Sequence, residues 1–174
     1  MAGSALLLAA RRLREEGGEE AHARFESDLV FGSGAYAAVV AIERATGELR
    51  VLRIAAVDDA GTIVNPLLAE GQVIGGSVHG LGVALMEQAL HDDEAQPGTA
   101  SFLDYSLLTA ADAPDLRAEF VQSPSPRNPL GAKGIGEGGT IGVPAAVGNA
   151  IADALGGVRV DPPYTPEKLW KALR

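Results

Sequence analysis

The most constraining feature of the sequence is a glycine-rich stretch, residues 131–142 (GAKGIGEGGTIG), in which six of twelve residues are glycine. Glycine allows positive φ angles and a close approach to another molecule, so we predict a contact loop here and not a rigid core element. Glu137 is the only acid in the stretch, and its glycine neighbours leave the carboxylate poorly shielded. We therefore predict that Glu137 is the candidate catalytic base.

Two other interpretations of this stretch stay open. Residues 134–139 satisfy the G-x-G-x-x-G dinucleotide pattern, but that pattern requires a strand directly before it. Pro124, Pro126 and Pro129 occupy the place where such a strand would end. The second alternative is a flexible surface loop without chemistry. The rest of the chain has to decide between these interpretations.

Composition and charge indicate a folded, acidic protein. The 174 residues are 47% hydrophobic, which is enough for one domain with a core. A formal net charge of -9 argues against nucleic acid as a partner, because no basic stripe could neutralise a phosphate backbone. The apolar N-terminal run is too short for a signal peptide, and no stretch has the length of a membrane span. We therefore expect a cytoplasmic protein.

Residues that hold metals or electron-transfer centres are scarce. The chain has no cysteine, which excludes a disulfide, a thiolate nucleophile and an iron–sulfur cluster held by this chain. The three histidines, His22, His79 and His91, are not spaced as metal ligands. We therefore predict no metal site made of protein side chains, and we expect any electron-transfer centre to lie on another chain.

The order of elements predicts an α+β fold with a mixed sheet and one long glycine-rich helix. Residues 35–43 and 49–58 read as two strands joined by a hairpin turn, and neither alternates cleanly, which predicts cover on both faces. The other predicted elements are helices at 4–16, 67–90 and 144–155, strands at 99–108, 116–122 and 158–160, and a last helix capped at 165–167.

The predicted helix at 67–90 carries an unusual load of glycine. Each glycine costs up to about 1 kcal/mol relative to alanine in a helix interior, so the load needs a reason. Gly71 and Gly75 share one face and Gly76 and Gly80 another, where another backbone or a large ligand can approach closely. Gln72 lies between these faces, and its amide suits a polar cofactor edge. The alternative is a solvent-facing glutamine on a tightly packed helix.

The predicted strands, helices and glycine-rich stretch, taken in this order, resemble the C-terminal end of the molybdenum-binding subunit of the xanthine dehydrogenase, aldehyde oxidase and carbon monoxide dehydrogenase family. The match lies in several stretches and not in one motif. The matching stretches are 51–85 (VLRIAAVDDAGTIVNPLLAEGQVIGGSVHGLGVAL), 101–116 (SFLDYSLLTAADAPDL), 124–155 (PSPRNPLGAKGIGEGGTIGVPAAVGNAIADAL) and 165–173 (TPEKLWKAL).

The resemblance implies roles for particular residues. Glu137, in the K-G-x-G-E loop, is similar to the glutamate that acts as a base toward a hydroxyl on molybdenum. Gln72, in the segment E-G-Q, is similar to the glutamine whose amide approaches the molybdenum ligands. Lys133, Gly134 and Gly136 belong to the loop that lies against the pterin. Molybdenum is held by the cofactor's dithiolene, so no protein ligand to the metal is expected.

The resemblance also implies a cofactor and partners. The cofactor is the molybdenum cofactor (molybdopterin), expected in its cytosine dinucleotide form. Family subunits are several times longer than this chain, so the isolated chain is expected to bind no cofactor and to be too short to act alone. The expected partners are a chain with the missing part of the molybdenum subunit, and iron–sulfur and flavin subunits.

The departures from the family pattern leave three hypotheses open. Residues 1–30 do not match and are predicted as an N-terminal helix and linker, with residues 31–174 as the cofactor-binding-like domain. His79 stands where many relatives have glutamine. The chain is then one subunit of a split hydroxylase, a truncated remnant that self-associates into a homo-oligomer, or a scaffolding and binding module without cofactor. Retention of both Gln72 and Glu137 favours the first hypothesis.

Overall fold

The computed structural model describes residues 1–27 and 29–174 as an α+β fold with a mixed sheet, as predicted. Its three strands have the spatial order β1-β2-β3; β1 is antiparallel to β2, and β3 is parallel to β2. The elements in chain order are α1 (Ala2–Glu16), β1 (Ser33–Ile42), β2 (Leu49–Asp59), α2 (Pro66–Leu85), β3 (Asp115–Val121), α3 (Gly138–Ala154) and α4 (Pro166–Ala172).

The hairpin of β1 and β2 forms where the sequence predicts it. Its turn contains Gly47 at a φ of 76°, whose amide donates to the Glu43 carbonyl at 2.8 Å. From β2 the chain crosses through α2 to β3, as a parallel pair requires. Both α2 and α3 pack on one face of the sheet, and the core between them includes Ile54, Leu81 and Val143.

The opposite face of the sheet is exposed, so the predicted cover on both faces is wrong for this chain. Buried Ile54 and Ala56 of β2 alternate with exposed Ala55 and Val57. This is the pattern of a sheet with helices on one side only. Further large apolar side chains exposed on the strands are Val39, Leu52 and Val121.

Helix α2 begins as predicted and ends earlier. Asn65 caps it, with its side-chain oxygen accepting from the Leu68 amide at 3.1 Å, and Pro66 follows as the first helical residue. The helix ends at Leu85 and not at Leu90. The amides of the two residues after Leu85 both donate to the Gly82 carbonyl at 2.9 Å, which closes the last turn.

Helix α3 begins at Gly138, inside the stretch predicted as a loop, and not at Pro144. Its first turn lies directly on α2, where a Cβ atom built on Gly80 would be 2.9 Å from the Gly139 carbonyl oxygen. The same Cβ would be 3.1 Å from Pro144 Cδ, so the proline ring occupies the space that glycine leaves. Of the two predicted occupants of the Gly76 and Gly80 face, another backbone or a large ligand, the structure shows a backbone.

Two predicted strands do not form. Residues 99–108, all described, contain turns, because the amides of Asp104 and Tyr105 donate to the Ser101 carbonyl and Ser101 Oγ donates to Asp104. Such local hydrogen bonds compete with strand pairing. Residues 158–160 are also without a strand. Among the described residues, no helix has the length and apolar character needed to cross a membrane.

The N-terminal segment lies against the loop that precedes α3. A Cβ atom built on Gly3 in α1 would be 3.0 Å from Leu130 Cδ1. Phe31, which lies two residues before β1, forms an isolated parallel bridge with Gly134 of the loop. The division of the chain at residue 30 stays a prediction.

Candidate functional site

The glycine-rich stretch enters the site along a path set by hydrogen bonds. Gly131 has a φ of 70°, which favours glycine, and its carbonyl accepts from the amides of Thr62 and Ser125 at 3.0 and 2.9 Å. Asn128 Nδ2 donates to the Ala132 carbonyl at 2.8 Å. The first residues of the stretch are therefore fixed to the ends of neighbouring segments.

Lys133 attaches the stretch to the end of β2. Its amide donates to the Ala60 carbonyl at 2.7 Å, and its ammonium lies 2.7 Å from Asp59 Oδ2. The two charged side chains are 17% and 16% exposed. The hydrogen bond from Lys133, followed by those from the Gly61 and Ser123 amides, holds the pKa of Asp59 well below its usual range. The ammonium group is thus engaged within the protein, and in this structure Lys133 anchors the loop.

Gln72 joins α2 to the same stretch. Its side-chain Nε2 donates to the Gly136 carbonyl at 2.8 Å. In the part of the chain that the structure describes, its amide oxygen receives no hydrogen bond. The structure thus brings together Gln72 and Gly136, two residues that the sequence singles out separately, directly beside Glu137.

Glu137 lies at the junction of the loop and α3. It is the residue before the first helical position, and its carbonyl accepts from the Ile141 amide at 3.0 Å. Its exposed side chain makes no capping hydrogen bond. No residue among 1–27 and 29–174 pairs with its carboxylate. A carboxylate without a partner is available to a bound group.

Two adjoining depressions contain the predicted site residues. The first, of about 380 Å³, is lined by residues 30–34, Tyr36, Asp58, 134–138, Ile141 and Gly142. We call it the Glu137 groove. The second, of about 340 Å³, contains Gln72 and Lys133, and Ile135 lines both. Glu137 and the glycines of the loop thus line one depression, and Gln72 and Lys133 line the other. The Gln72–Gly136 hydrogen bond links the two depressions.

The backbone around these depressions is open at several glycines. Nothing lies within 4 Å of a Cβ atom built at Gly136, Gly71 or Gly75 in the described structure. The Gly71 and Gly75 face of α2, next to Gln72, thus leaves room for a large ligand, whereas the Gly76 and Gly80 face is filled by α3. Within residues 1–27 and 29–174, no group of three or more His, Cys, Asp and Glu side chains could hold a metal ion.

Two further polar residues of the groove were missed by sequence reasoning. The Tyr36 hydroxyl lies 2.8 and 2.7 Å from the two carboxylate oxygens of Asp58, which is 4% exposed. Burial, followed by this hydrogen bond, raises the pKa of Tyr36. The only sequence signal was an acid at the end of an apolar strand; the hairpin register, which pairs Gly34 with Asp58, then brings Tyr36 next to this acid. An acid near the end of an apolar strand has to find a partner.

The open backbone at Gly136, Gly71 and Gly75 leaves space for a ligand next to Glu137 and Gln72. A family model described as a molybdopterin cofactor-binding domain matches residues 4–114. The chain belongs to this family, and the resemblance seen in the sequence is confirmed. The matched range contains α1, the hairpin and α2 with Gln72, and it ends before the glycine-rich stretch.

The relatives of the chain are large subunits of molybdenum enzymes. The nicotine 6-hydroxylase large subunit of Paenarthrobacter nicotinovorans is 40% identical over 83% of this chain and 18% of its own length. The carbon monoxide dehydrogenase large chain of Hydrogenophaga pseudoflava is 36% identical over 92% of this chain and 20% of its own length.

The same relationship holds for solved structures. Quinoline 2-oxidoreductase from Pseudomonas putida 86 superposes with a TM-score of 0.76 and 40% identity, over 79% of this chain and 18% of that chain. The chain thus spans about a fifth of the length of the proteins that it matches. Its fold is that of a part of a molybdenum hydroxylase subunit.

Proposed function

We propose that the chain supplies the general base and one wall of the molybdopterin site of a molybdenum hydroxylase, and that it acts only together with a chain carrying the rest of that subunit. The observation that carries the proposal is the carboxylate of Glu137, which lines a groove and has no partner among the described residues. The family model ends at residue 114 and so does not include Glu137, which is selected by its resemblance to the family's K-G-x-G-E loop and by its place in the groove.

In this proposal Glu137 accepts a proton from a bound group within hydrogen-bond reach. A general base must come within about 2.6–3.2 Å of the donor, so its backbone has to be held firmly. The Gln72–Gly136 hydrogen bond holds the residue before Glu137, and the Lys133–Asp59 ion pair holds the start of the loop. Both contacts therefore restrict the position of the base before any ligand binds.

The residues present fit an organic cofactor. Gly134 and Gly136 offer exposed backbone, and Gln72 offers an amide oxygen as an acceptor. Lys133 anchors the loop, and its positive charge is not directed at the ligand, because its ammonium is paired with Asp59. A molybdenum cofactor, which we expect in the cytosine dinucleotide form, supplies the redox chemistry that these side chains lack. Iron–sulfur and flavin subunits then carry the electrons, consistent with the absence of cysteine here.

Exposed apolar surface supports the dependence on a partner chain. Val39, Leu52 and Val121 are exposed on the open face of the sheet, and Leu67 and Leu68 are exposed in the first turn of α2. The two neighbouring exposed leucines in particular are typical of an interaction site. The first turn of α2 adjoins the depression that contains Gln72, so a chain docked there would close this depression.

The test is Glu137→Gln in the complex assembled with its partner chains. The amide keeps the size of the side chain and cannot accept a proton, so turnover should fall by about 10²-fold or more while molybdenum and pterin content stay unchanged. Glu94→Gln is the matched control, because Glu94 is an exposed acid in a loop outside both depressions. Unchanged turnover in the Glu137 variant would refute the proposed base.

Purification of the chain from its natural source tests the partner requirement. Molybdenum, pterin and a larger partner chain should be recovered with it, as shown by metal analysis and mass spectrometry. A metal-free chain recovered alone or as a homo-oligomer would favour the truncated remnant. A stable complex with a protein unrelated to molybdenum would favour the binding module instead.

A further inference from the structure

We propose that Tyr36 and Asp58 form a partly buried positioning pair that sets the first turn of α3 and, through it, the place of Glu137. This inference rests on the proposed role of Glu137 as the base. Neither residue needs to touch the reacting groups, because the pair acts on the backbone that carries Glu137.

The pair joins a half-buried tyrosine to a buried acid. The Tyr36 hydroxyl lies 2.8 and 2.7 Å from the two carboxylate oxygens of Asp58, and Asp58 is 4% exposed. A buried carboxylate without a donor is strongly unfavourable, so Asp58 holds the Tyr36 ring in one orientation. The raised pKa of Tyr36 is consistent with a hydroxyl that keeps its proton and its hydrogen bond.

Helix α3 rests on this pair at two positions one turn apart. A Cβ atom built on Gly138 would lie 2.8 Å from the Tyr36 hydroxyl oxygen and 2.9 Å from Asp58 Oδ1. A Cβ atom built on Gly142 would overlap the Tyr36 ring. Since residues four apart share a helix face, the pair supports one side of the first turn.

This support acts next to the proposed base. Glu137 directly precedes Gly138, so a shift of the first turn moves the Glu137 backbone with it. The opposite support of the turn is α2, which contacts Gly139 through Gly76 and Ser77. With one side held by α2 and the other by the pair, the turn has little freedom to rotate about its axis.

Another tyrosine–carboxylate pair in the same chain provides a matched control. The Tyr105 hydroxyl donates to Glu87 Oε2 at 2.7 Å, just beyond the end of α2. Neither Tyr105 nor Glu87 lines the Glu137 groove. Tyr105→Phe therefore removes the same kind of hydrogen bond without touching α3.

The first experiment needs no cofactor. Hydrogen exchange of the amides of residues 141–143 is measured in the 174-residue chain, because these amides report on the first turns of α3. Tyr36→Phe should speed their exchange by about tenfold to a hundredfold, the loss expected for a hydrogen bond to a charged group. Tyr105→Phe should leave these amides unchanged. Asp58→Asn keeps an acceptor for the hydroxyl but removes its negative charge, so exchange should speed up less than in Tyr36→Phe.

Three results of this experiment would overturn the positioning role. One is unchanged exchange at residues 141–143 in Tyr36→Phe. Another is an equal increase at all slowly exchanging amides, which would mean that the pair stabilises the whole fold and not the turn. The third is exchange in Asp58→Asn as fast as in Tyr36→Phe, which would mean that a hydrogen bond kept by the Tyr36 hydroxyl does not hold the turn.

The second experiment uses the assembled enzyme. Tyr36→Phe should lower kcat by about tenfold to a hundredfold with little change in KM, because a displaced base affects the chemical step and not ground-state binding. Unchanged kcat in an enzyme that Glu137→Gln inactivates would refute the positioning role alone. If Glu137→Gln has no effect, the proposed function fails, and the exchange experiment still decides whether the pair positions the turn.

Discussion

Gly139→Ala should destabilise the protein because α2 and α3 touch backbone to backbone. A Cβ atom at Gly139 would lie 2.7 Å from the Gly76 carbonyl carbon and 2.8 Å from Ser77 Oγ, and it would overlap the Ser77 amide nitrogen. Helix backbone atoms cannot rotate away as a flexible side chain can. The two helices must therefore separate by several tenths of an ångström or tilt, and the core residues between them lose contact.

The expected change in the free energy of unfolding for Gly139→Ala follows from two opposing effects. Overpacking of a core costs about 1–3 kcal/mol, and contact with rigid backbone belongs to the upper part of that range. Replacing glycine by alanine in a helix returns up to about 1 kcal/mol, less in the first turn. The net loss is about 1–2 kcal/mol, which lowers Tm by about 2–8 °C in a chain of this size.

The assay compares two glycine-to-alanine variants by urea unfolding and thermal scans at equal protein concentration. Gly75→Ala is the control, because Gly75 lies in the interior of α2 and nothing is within 4 Å of its added Cβ. This variant should gain up to about 1 kcal/mol from helix propensity. The same chemical change should thus have opposite signs at the two sites. A Gly139→Ala variant as stable as the parent would refute the inferred backbone contact.

Two further changes test the anchors of the site. Lys133→Met should lower stability at neutral pH, because the ionised Asp59 loses its partner. Since the pKa of Asp59 is lowered in the folded state, its contribution is complete above about pH 4 and is lost as the pH falls. The difference from the parent should therefore shrink in urea unfolding at pH 3 compared with pH 7, and a constant difference would contradict the ion pair. Asn65→Ala should cost about 1 kcal/mol through the lost cap at Leu68, whereas Asn65→Ser should cost much less; equal losses in both would argue against the cap.

The sequence allowed the local features of the fold to be predicted. The hairpin between residues 43 and 49 and a helix starting near residue 67 were predicted, and in the structure they contain the Gly47 turn and the Asn65 cap. These signals work because turns and helix caps depend on a few neighbouring residues. The grouping of Glu137 with open glycine backbone was also readable, since both belong to one short stretch.

The contacts between distant segments could not be read in the same way. Residues 138–142 looked like a loop because glycine has low helix propensity, yet they form the first turn of α3. Contact with the glycine face of α2 outweighs that propensity, and the fit depends on where the two helices cross. Likewise, the ion pair of the Lys133 ammonium with Asp59 could not be read from the sequence, whereas the place of Lys133 in a loop against the cofactor stays a prediction.

The sequence alone therefore determined the family, through its resemblance over several stretches. It also determined the α+β class and the candidate site residues, through the order of the predicted elements and the local chemistry of the glycine-rich stretch. The tertiary structure alone decided which of these residues have partners. It leaves Glu137 without a partner among residues 1–27 and 29–174, binds Gln72 to Gly136, and joins Tyr36 to Asp58 beneath the first turn of α3. The physical reason is that a hydrogen bond or ion pair requires two groups within about 3 Å, and only the packing of strands and helices brings distant residues so close.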